Sequence, residues 1–294
     1  MSSFERLETD GRVLEVLRAG PAGAMPLIFH VGTPMAATSF EPLERLATAR
    51  GLRLVTYSRP GYGRSTRQPR HRVADAARDV DATLSWLGAD RFVTLGWSGG
   101  GPRAIACAAV LADRCLAAAS IAGVAPYAAH GLDWLQGMNA GNVAEYSAAL
   151  RGAEALEAHL QSVAADVAHL ETEAVRGWLR RDGTPPDAPL ASSFAEFVAA
   201  SFRHSQASGV FGWLDDDLAE VADWGFDLDA IRRPVAIWHG SADTSVPFAH
   251  GRWLAEHIPG ARARLRDGHG HFSLPVVMLD SIIDELLALA REAT

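Results

Sequence analysis

Residues 91–112 read RFVTLGWSGGGPRAIACAAVLA, and the fold turns on how this stretch divides. RFVTL has the apolar, β-branched composition of a buried strand, whereas PRAIACAAVLA has that of a helix. GWSGGG between them is therefore a strand-to-helix turn. Gly96, Trp97, Ser98, Gly99 and Gly100 match G-x-S-x-G, the pattern of a nucleophile elbow. In such a turn the serine adopts a strained backbone conformation, and the residues two before and two after it must be small. Gly96 and Gly100 occupy those positions. The helix begins just past Ser98, so its unpaired N–H groups and positive dipole end face any charge developing beside the hydroxyl. Pro102 suits the first helical turn, where its missing N–H costs nothing. The run lacks the G-K-[ST] of a phosphate loop and the spacing of a dinucleotide fingerprint.

Outward from the turn, short apolar runs bounded by Gly, Pro or Asp recur between amphipathic stretches. Strands are expected at Arg12–Leu17, Met25–His30, Arg53–Tyr57, Arg91–Leu95, Leu116–Ile121, Val235–His239 and Ala263–Leu265. Helices are expected at Phe40–Arg50, Val73–Leu87, Pro102–Ala112, Phe248–His257 and Leu274–Arg291. Strands apolar throughout, alternating with helices, indicate an α/β fold with a doubly wound, mostly parallel sheet covered on both faces. From Tyr127 to Phe226 the alternation stops and only helical patterns remain, too long for a connection. Residues 127–226 are therefore read as an inserted helical cap, with residues 1–126 and 227–294 forming the two parts of the core. RRDGTPPDAP, 180–189, reads as a loop within that cap.

A net charge of −8 and a pI near 5.7 leave no basic footprint for nucleic acid, and no basic cluster suggests a membrane surface. The N-terminus is charged from Glu5 onward without the apolar run of a signal peptide, so a cytoplasmic protein is expected, a monomer or homodimer acting on a small molecule. Every one of the 27 basic residues is arginine. Schiff-base chemistry, a pyridoxal-phosphate anchor and a phosphate-loop lysine are thereby excluded. Cys107 and Cys115 lie in or beside an alanine-rich helical stretch without neighbouring ligands and are expected to be buried thiols. His130, His204 and His239 show no convincing metal spacing, and neither a metal nor an organic cofactor is expected.

A serine hydroxyl needs a base and an orienting acid. After the strand PVAIWHG comes SADTSVP, which puts Asp243 in a loop at a strand's carboxyl end; after ARARLRD comes GHGHFSL, with His269 and His271. The loop SIAGVAPY after the intervening strand contains no acid, which favours Asp243. The order Ser, Asp, His is the chain order of an α/β-hydrolase triad.

The sequence resembles the α/β-hydrolase superfamily over nearly its whole length: HVGTP, YSRPGYGRS, GWSGGG, WGFDLDAIRRPVAIWHGSADTSVP and GHGHFSL carry the likeness. The resemblance implies that His271, in G-x-G-H, is the base, with His269 at the variable position. It also implies an oxyanion hole made by the amide of Gly99 with that of Thr33 or Gly32, although Val31 separates His30 from Gly32. YSRPGYGRS carries Ser58 where the family usually has Asp and is read as a structural turn. The inserted helices are expected to form a lid.

Acyl transfer through an acyl-enzyme on a small ester or lactone is the implied chemistry. Ser98 at the elbow argues against dehalogenases and epoxide hydrolases, which need Asp there. The same triad serves C–C bond hydrolases, acyltransferases and perhydrolases, and the fold also serves ligand-binding receptors. A proline-iminopeptidase-like activity would need cap acids to hold an amine; Glu196 and Asp215–Asp217 are candidates, although WLDDD also reads as an acid-stabilised helix N-terminus. Trp97, Trp134, Met138, Phe211, Trp213 and Trp224 are candidates for an apolar pocket, a placement that competes with ordinary core packing.

Overall fold

The hairpin at the N-terminus starts the sheet. In the structure, a computed structural model describing residues 4–185 and 188–293, β1 (Phe4–Thr9) and β2 (Arg12–Ala19) pair antiparallel. Asp10 and Gly11 connect them with φ of 49° and 73°, the two left-handed residues that a tight hairpin turn demands. The remaining strands are β3 (Met25–His30), β4 (Leu52–Tyr57), β5 (Phe92–Trp97), β6 (Cys115–Ile121), β7 (Val235–Gly240) and β8 (Arg262–Arg266). Their order is β1-β2-β4-β3-β5-β6-β7-β8, and every pair from β4 onward is parallel. β1 was not expected from the sequence, and β6 and β8 run slightly longer than expected.

Alternating side chains divide the core into two layers. Leu27, Phe29, Val93 and Leu95 face α1 (Glu41–Ala49) and α10 (Ser273–Glu292). Ile28, Val55 and Phe92 face α2 (Ala76–Leu87), α3 (Gly100–Val110) and α9 (Phe248–His257). Covered on both faces, the central strands can be apolar throughout. Cys107 and Cys115 are buried free thiols.

Among the described residues, five α-helices lie between β6 and β7: α4 (Ala140–Arg151), α5 (Ala153–Ala168), α6 (Thr172–Arg181), α7 (Ala191–Ser205) and α8 (Phe211–Val221). The expected loop at 180–189 starts where α6 ends; its Pro186 and Asp187 lie outside the described residues. The acidic run in α8 is not at a helix start. Asp215, Asp216 and Asp217 sit in mid-helix and are buried, because arginines distant in sequence neutralise the first two. Among the described residues, no helix is long and apolar enough to cross a membrane.

The strand order reverses direction at β3, with β4 on one side and β5 on the other. Loops leaving the carboxyl ends of β3 and β5 therefore diverge and open a crevice, the usual ligand position in such sheets. The register His30↔Gly96 puts HVGTP directly beside the GWSGGG turn. Leu95→Ala, at a fully buried position of β5, should cost about 2–5 kcal/mol in chemical denaturation. Val277→Ala on the outer side of α10, 41% exposed, should change stability by no more than about 0.5 kcal/mol.

Candidate active site

Ser98 has φ of 55°, a left-handed conformation rare outside glycine. Its N–H donates to the Ile121 carbonyl at 2.8 Å, and its carbonyl accepts from Gly101 N–H at 2.8 Å. A Cβ at Gly96 would overlap the Gly100 carbonyl, and one at Gly100 would overlap that of His30. The turn is thus held by hydrogen bonds and closed by backbone packing that only glycine permits. Ser98 remains half-buried, on the wall of a cavity of about 520 Å³.

His271 reaches the same cavity from the loop between β8 and α10. Its Nδ1 lies 2.8 Å from Asp243 Oδ2, and Asp243 Oδ1 accepts from the N–H groups of Ser245 and Val246, each at 2.8 Å. Behind this pair His239 is buried, its Nε2 bonded to the Val246 carbonyl at 2.8 Å. Burial pushes the His271 imidazole down, but the charge and hydrogen bond of Asp243 outweigh it, and the pKa stands above the ordinary 6.5. Trp97 Nε1 donates to the His271 carbonyl at 3.2 Å. His269 does not line the cavity.

Two buried arginines tie down the HVGTP loop and the elbow. Arg59 donates to the Val31 carbonyl at 2.5 Å and the Gly32 carbonyl at 2.9 Å, and it is paired with Asp216 at 2.7 Å. Arg103 donates to the Gly99 carbonyl at 2.7 Å, pairs with Asp216 at 2.9 Å and with Glu220, and lies wholly inside. Burial would raise the Asp216 carboxyl, yet the two guanidiniums hold it well below the usual carboxylate range. In a trans peptide the C=O and N–H point in opposite directions. Anchoring the Gly32 carbonyl on Arg59 therefore turns the Thr33 N–H away from the guanidinium, and Gly32, Thr33 and Gly99 all line the cavity. YSRPGYGRS thus supplies Arg59 to the underside of this loop as a structural element.

Of the expected pocket aromatics, Trp97 and Trp213 line the cavity. Trp134, Met138 and Trp224 do not: they pack in the core layer against α3 and α9, with Trp134 Nε1 bonded to the Ala125 carbonyl at 2.7 Å. Phe211 also lies elsewhere, its ring under the Arg67 guanidinium at 4.2 Å. Glu196 faces outward beside Arg176. Sequence reasoning missed Trp178, Phe202, Phe272 and Glu145, which do reach the cavity. Glu145 accepts from Trp213 Nε1 at 3.0 Å and adjoins Asp217, whose oxygens have no hydrogen-bond donor. Burial pushes both carboxyls up. The charges of Glu145, Glu220 and Asp216 add to the rise at Asp217, and that of Glu220 adds to the rise at Glu145, where the hydrogen bonds from Trp213 and with Asp217 oppose it and leave the pKa at about 7. Among the described residues, no group of three or more His, Cys, Asp or Glu side chains has the arrangement of a metal site.

Removing one partner from a buried ion pair leaves the other uncompensated. Arg103→Ala should therefore cost about 3–5 kcal/mol in denaturant unfolding, whereas Arg45→Ala, which breaks an exposed pair with Glu41, should change little.

The sequence model of the family described as "alpha/beta hydrolase fold" matches residues 25–276. A bifunctional esterase/perhydrolase from Acinetobacter calcoaceticus is 25% identical over 275 residues, covering 92% of this chain and 94% of that protein. A pimeloyl-[acyl-carrier protein] methyl ester esterase from Aromatoleum aromaticum is 40% identical over 55 residues, which span 19% of this chain and 22% of its length. The crystal structure of an epoxide hydrolase A from Mycobacterium thermoresistibile superposes with a TM-score of 0.68 over 100% of this chain and 99% of that one, at 20% identity, a likeness of fold. Matched through all but its ends, the chain belongs to the alpha/beta hydrolase fold family.

Proposed function

We propose that this chain is a serine hydrolase that cleaves small carboxylic esters or lactones through an acyl-enzyme. The observation that carries the reading is the Asp243–His271 hydrogen bond of 2.8 Å, formed on the wall of the cavity that also contains Ser98. His271 removes the Ser98 proton, with Asp243 selecting the tautomer that leaves Nε2 free and stabilising the imidazolium. Ser98 Oγ attacks the substrate carbonyl, and the amides of Gly99 and Thr33 receive the oxyanion, each contributing about 3 kcal/mol. The imidazolium passes its proton to the leaving alcohol. Water, deprotonated by the same base, then releases the acid. The full-length likeness to an esterase/perhydrolase supports acyl chemistry on oxygen esters, and helices α4 to α8 serve as the lid over the cavity.

A second reading, hydrolysis of an amide beside a free amine, is favoured by one feature. Glu145 lines the cavity with Asp217 behind it, and neither carboxyl is paired with an arginine, so a substrate ammonium would be attracted there. An activity panel of p-nitrophenyl esters, lactones and prolyl arylamides separates the two. Preference for esters or lactones is expected; preference for the arylamide would replace the first reading with the second.

Ser98→Ala should lower kcat on a short p-nitrophenyl ester by on the order of 10⁶-fold, to the assay floor, and unchanged turnover would refute the nucleophile. The base must be neutral to act, and its pKa is raised. Activity should accordingly rise with pH through a limb lying above 6.5, measured as kcat/KM of the wild-type protein.

A further inference from the structure

The N-terminus of α10 has no cap of its own. The residue at the capping position is Phe272, which offers no side-chain acceptor, although the N–H groups at this end need one. The acceptor comes instead from the helical insertion. Asp182, just past α6, accepts from His271 N–H at 2.8 Å, Phe272 N–H at 2.8 Å and Ser273 N–H at 2.6 Å.

Gly270 is part of the same arrangement. A Cβ at this position would overlap the Asp182 carboxylate, so the second glycine of GHGH clears the space through which the insertion reaches the histidine loop. Aromatic contacts accompany the carboxylate: Trp178 of α6 packs on Phe272 at 5.8 Å, and Phe272 on Trp97 at 5.7 Å. His271 is consequently held at three points by three parts of the chain. Asp243 holds its ring, Trp97 its carbonyl, and Asp182 its amide.

We propose that Asp182 is a positioning residue for His271, fixing the base in its working place only when α6 is docked against the histidine loop. This inference rests on the assignment of His271 as the base. It makes competence of the site depend on a contact that belongs to the insertion and not to the sheet that carries Ser98, Asp243 and His271. A movement of α6 that withdrew the carboxylate would free the amides of three consecutive residues, the first of them the base itself. Misplacing a reacting group by about 1 Å can cost about 100-fold in rate.

Asp182→Ala and Asp182→Asn test the proposal; asparagine retains one acceptor oxygen and removes the charge. The charged groups around the imidazole are Asp243 with His239 behind it, Arg181 and Asp182 from the insertion, and Glu145 across the cavity. The Asp182 charge helps to keep the imidazole protonated. Both variants should therefore move the acid limb of kcat/KM to lower pH, and the His271 imidazole titration followed by NMR should move with it. Asp182→Ala should lose about 10–100-fold in kcat, with a smaller change in KM, and Asp182→Asn should recover part of that loss. If Asp182→Ala does not fold, Asp182→Asn decides by the same two readouts. Unchanged kcat in Asp182→Asn, a loss confined to KM, or an unmoved His271 titration would each overturn the proposal. Wild-type turnover, and its absence in Ser98→Ala, tests the hydrolase reading separately. If no substrate turns over, the NMR titration alone decides, an unmoved His271 overturning the positioning role and a lowered one supporting it.

Discussion

Arg59 and Arg103 are guanidiniums taken almost wholly out of water, and the surroundings of the cavity are arranged to keep them compensated. Burying such an ion costs several kcal/mol unless charge and hydrogen bonds replace its hydration. Asp216 and Glu220 supply the charge, and both come from α8, so this helix must be docked for the arginines to be tolerated. The donors left over satisfy the carbonyls of Val31, Gly32 and Gly99. One cluster thus joins the HVGTP loop, the elbow and the insertion. The orientation of peptide groups on the cavity side follows from interactions on the opposite side, and Thr33 Oγ1 is drawn into the same network at 3.2 Å from Asp216.

Much of the sheet was legible because its physics is local. β3, β5 and β7 are apolar throughout since helices cover both faces, and a chain with that pattern has few other ways to bury it. β1 was missed for the converse reason: FERLET, at the edge of the sheet, holds only Phe4 and Leu7 as apolar residues among charged ones, and its true signal was the Asp10-Gly11 turn that follows. Ser98, Asp243 and His271 stood out because each follows a strand end in the order that a nucleophile, an acid and a base would need. The cavity wall did not stand out. Trp178, Phe202 and Glu145 reach it only through the packing of helices whose relative placement no local pattern encodes, and Trp134 and Met138 look the same in sequence yet pack in the core.

The acidic run of α8 was the least legible feature, and its geometry explains why. Successive residues on a helix point about 100° apart, so three adjacent aspartates cannot share one environment. Asp215 meets Arg67, at 2.7 Å, on the more exposed side; Asp216 turns inward to Arg59, Arg103 and His71; Asp217 turns toward α4 and finds Glu145. The partners of the first two lie more than 100 residues away in the chain. From sequence alone, three aspartates in a row look like a solvated helix start, and only the distant arginines make them an interior feature.

Asp217 then differs from its neighbours in kind. Asp216 is neutralised by fixed cations, whereas Asp217 and Glu145 have no cation beside them, only each other and the Trp213 N–H on Glu145. An apolar pair of similar volume would cost less to bury, and elsewhere this interior pairs its buried acids with arginine, as Asp79 with Arg12 and Asp216 with Arg59 and Arg103, or with histidine, as Asp243 with His271. The missing cation coincides with the one place where the acidic pair adjoins the cavity. Departures from local optimality in a folded chain concentrate where function requires them. Glu145 thus gives the cavity a carboxyl with a raised affinity for a proton, while Trp97 and Phe272 give it apolar surface.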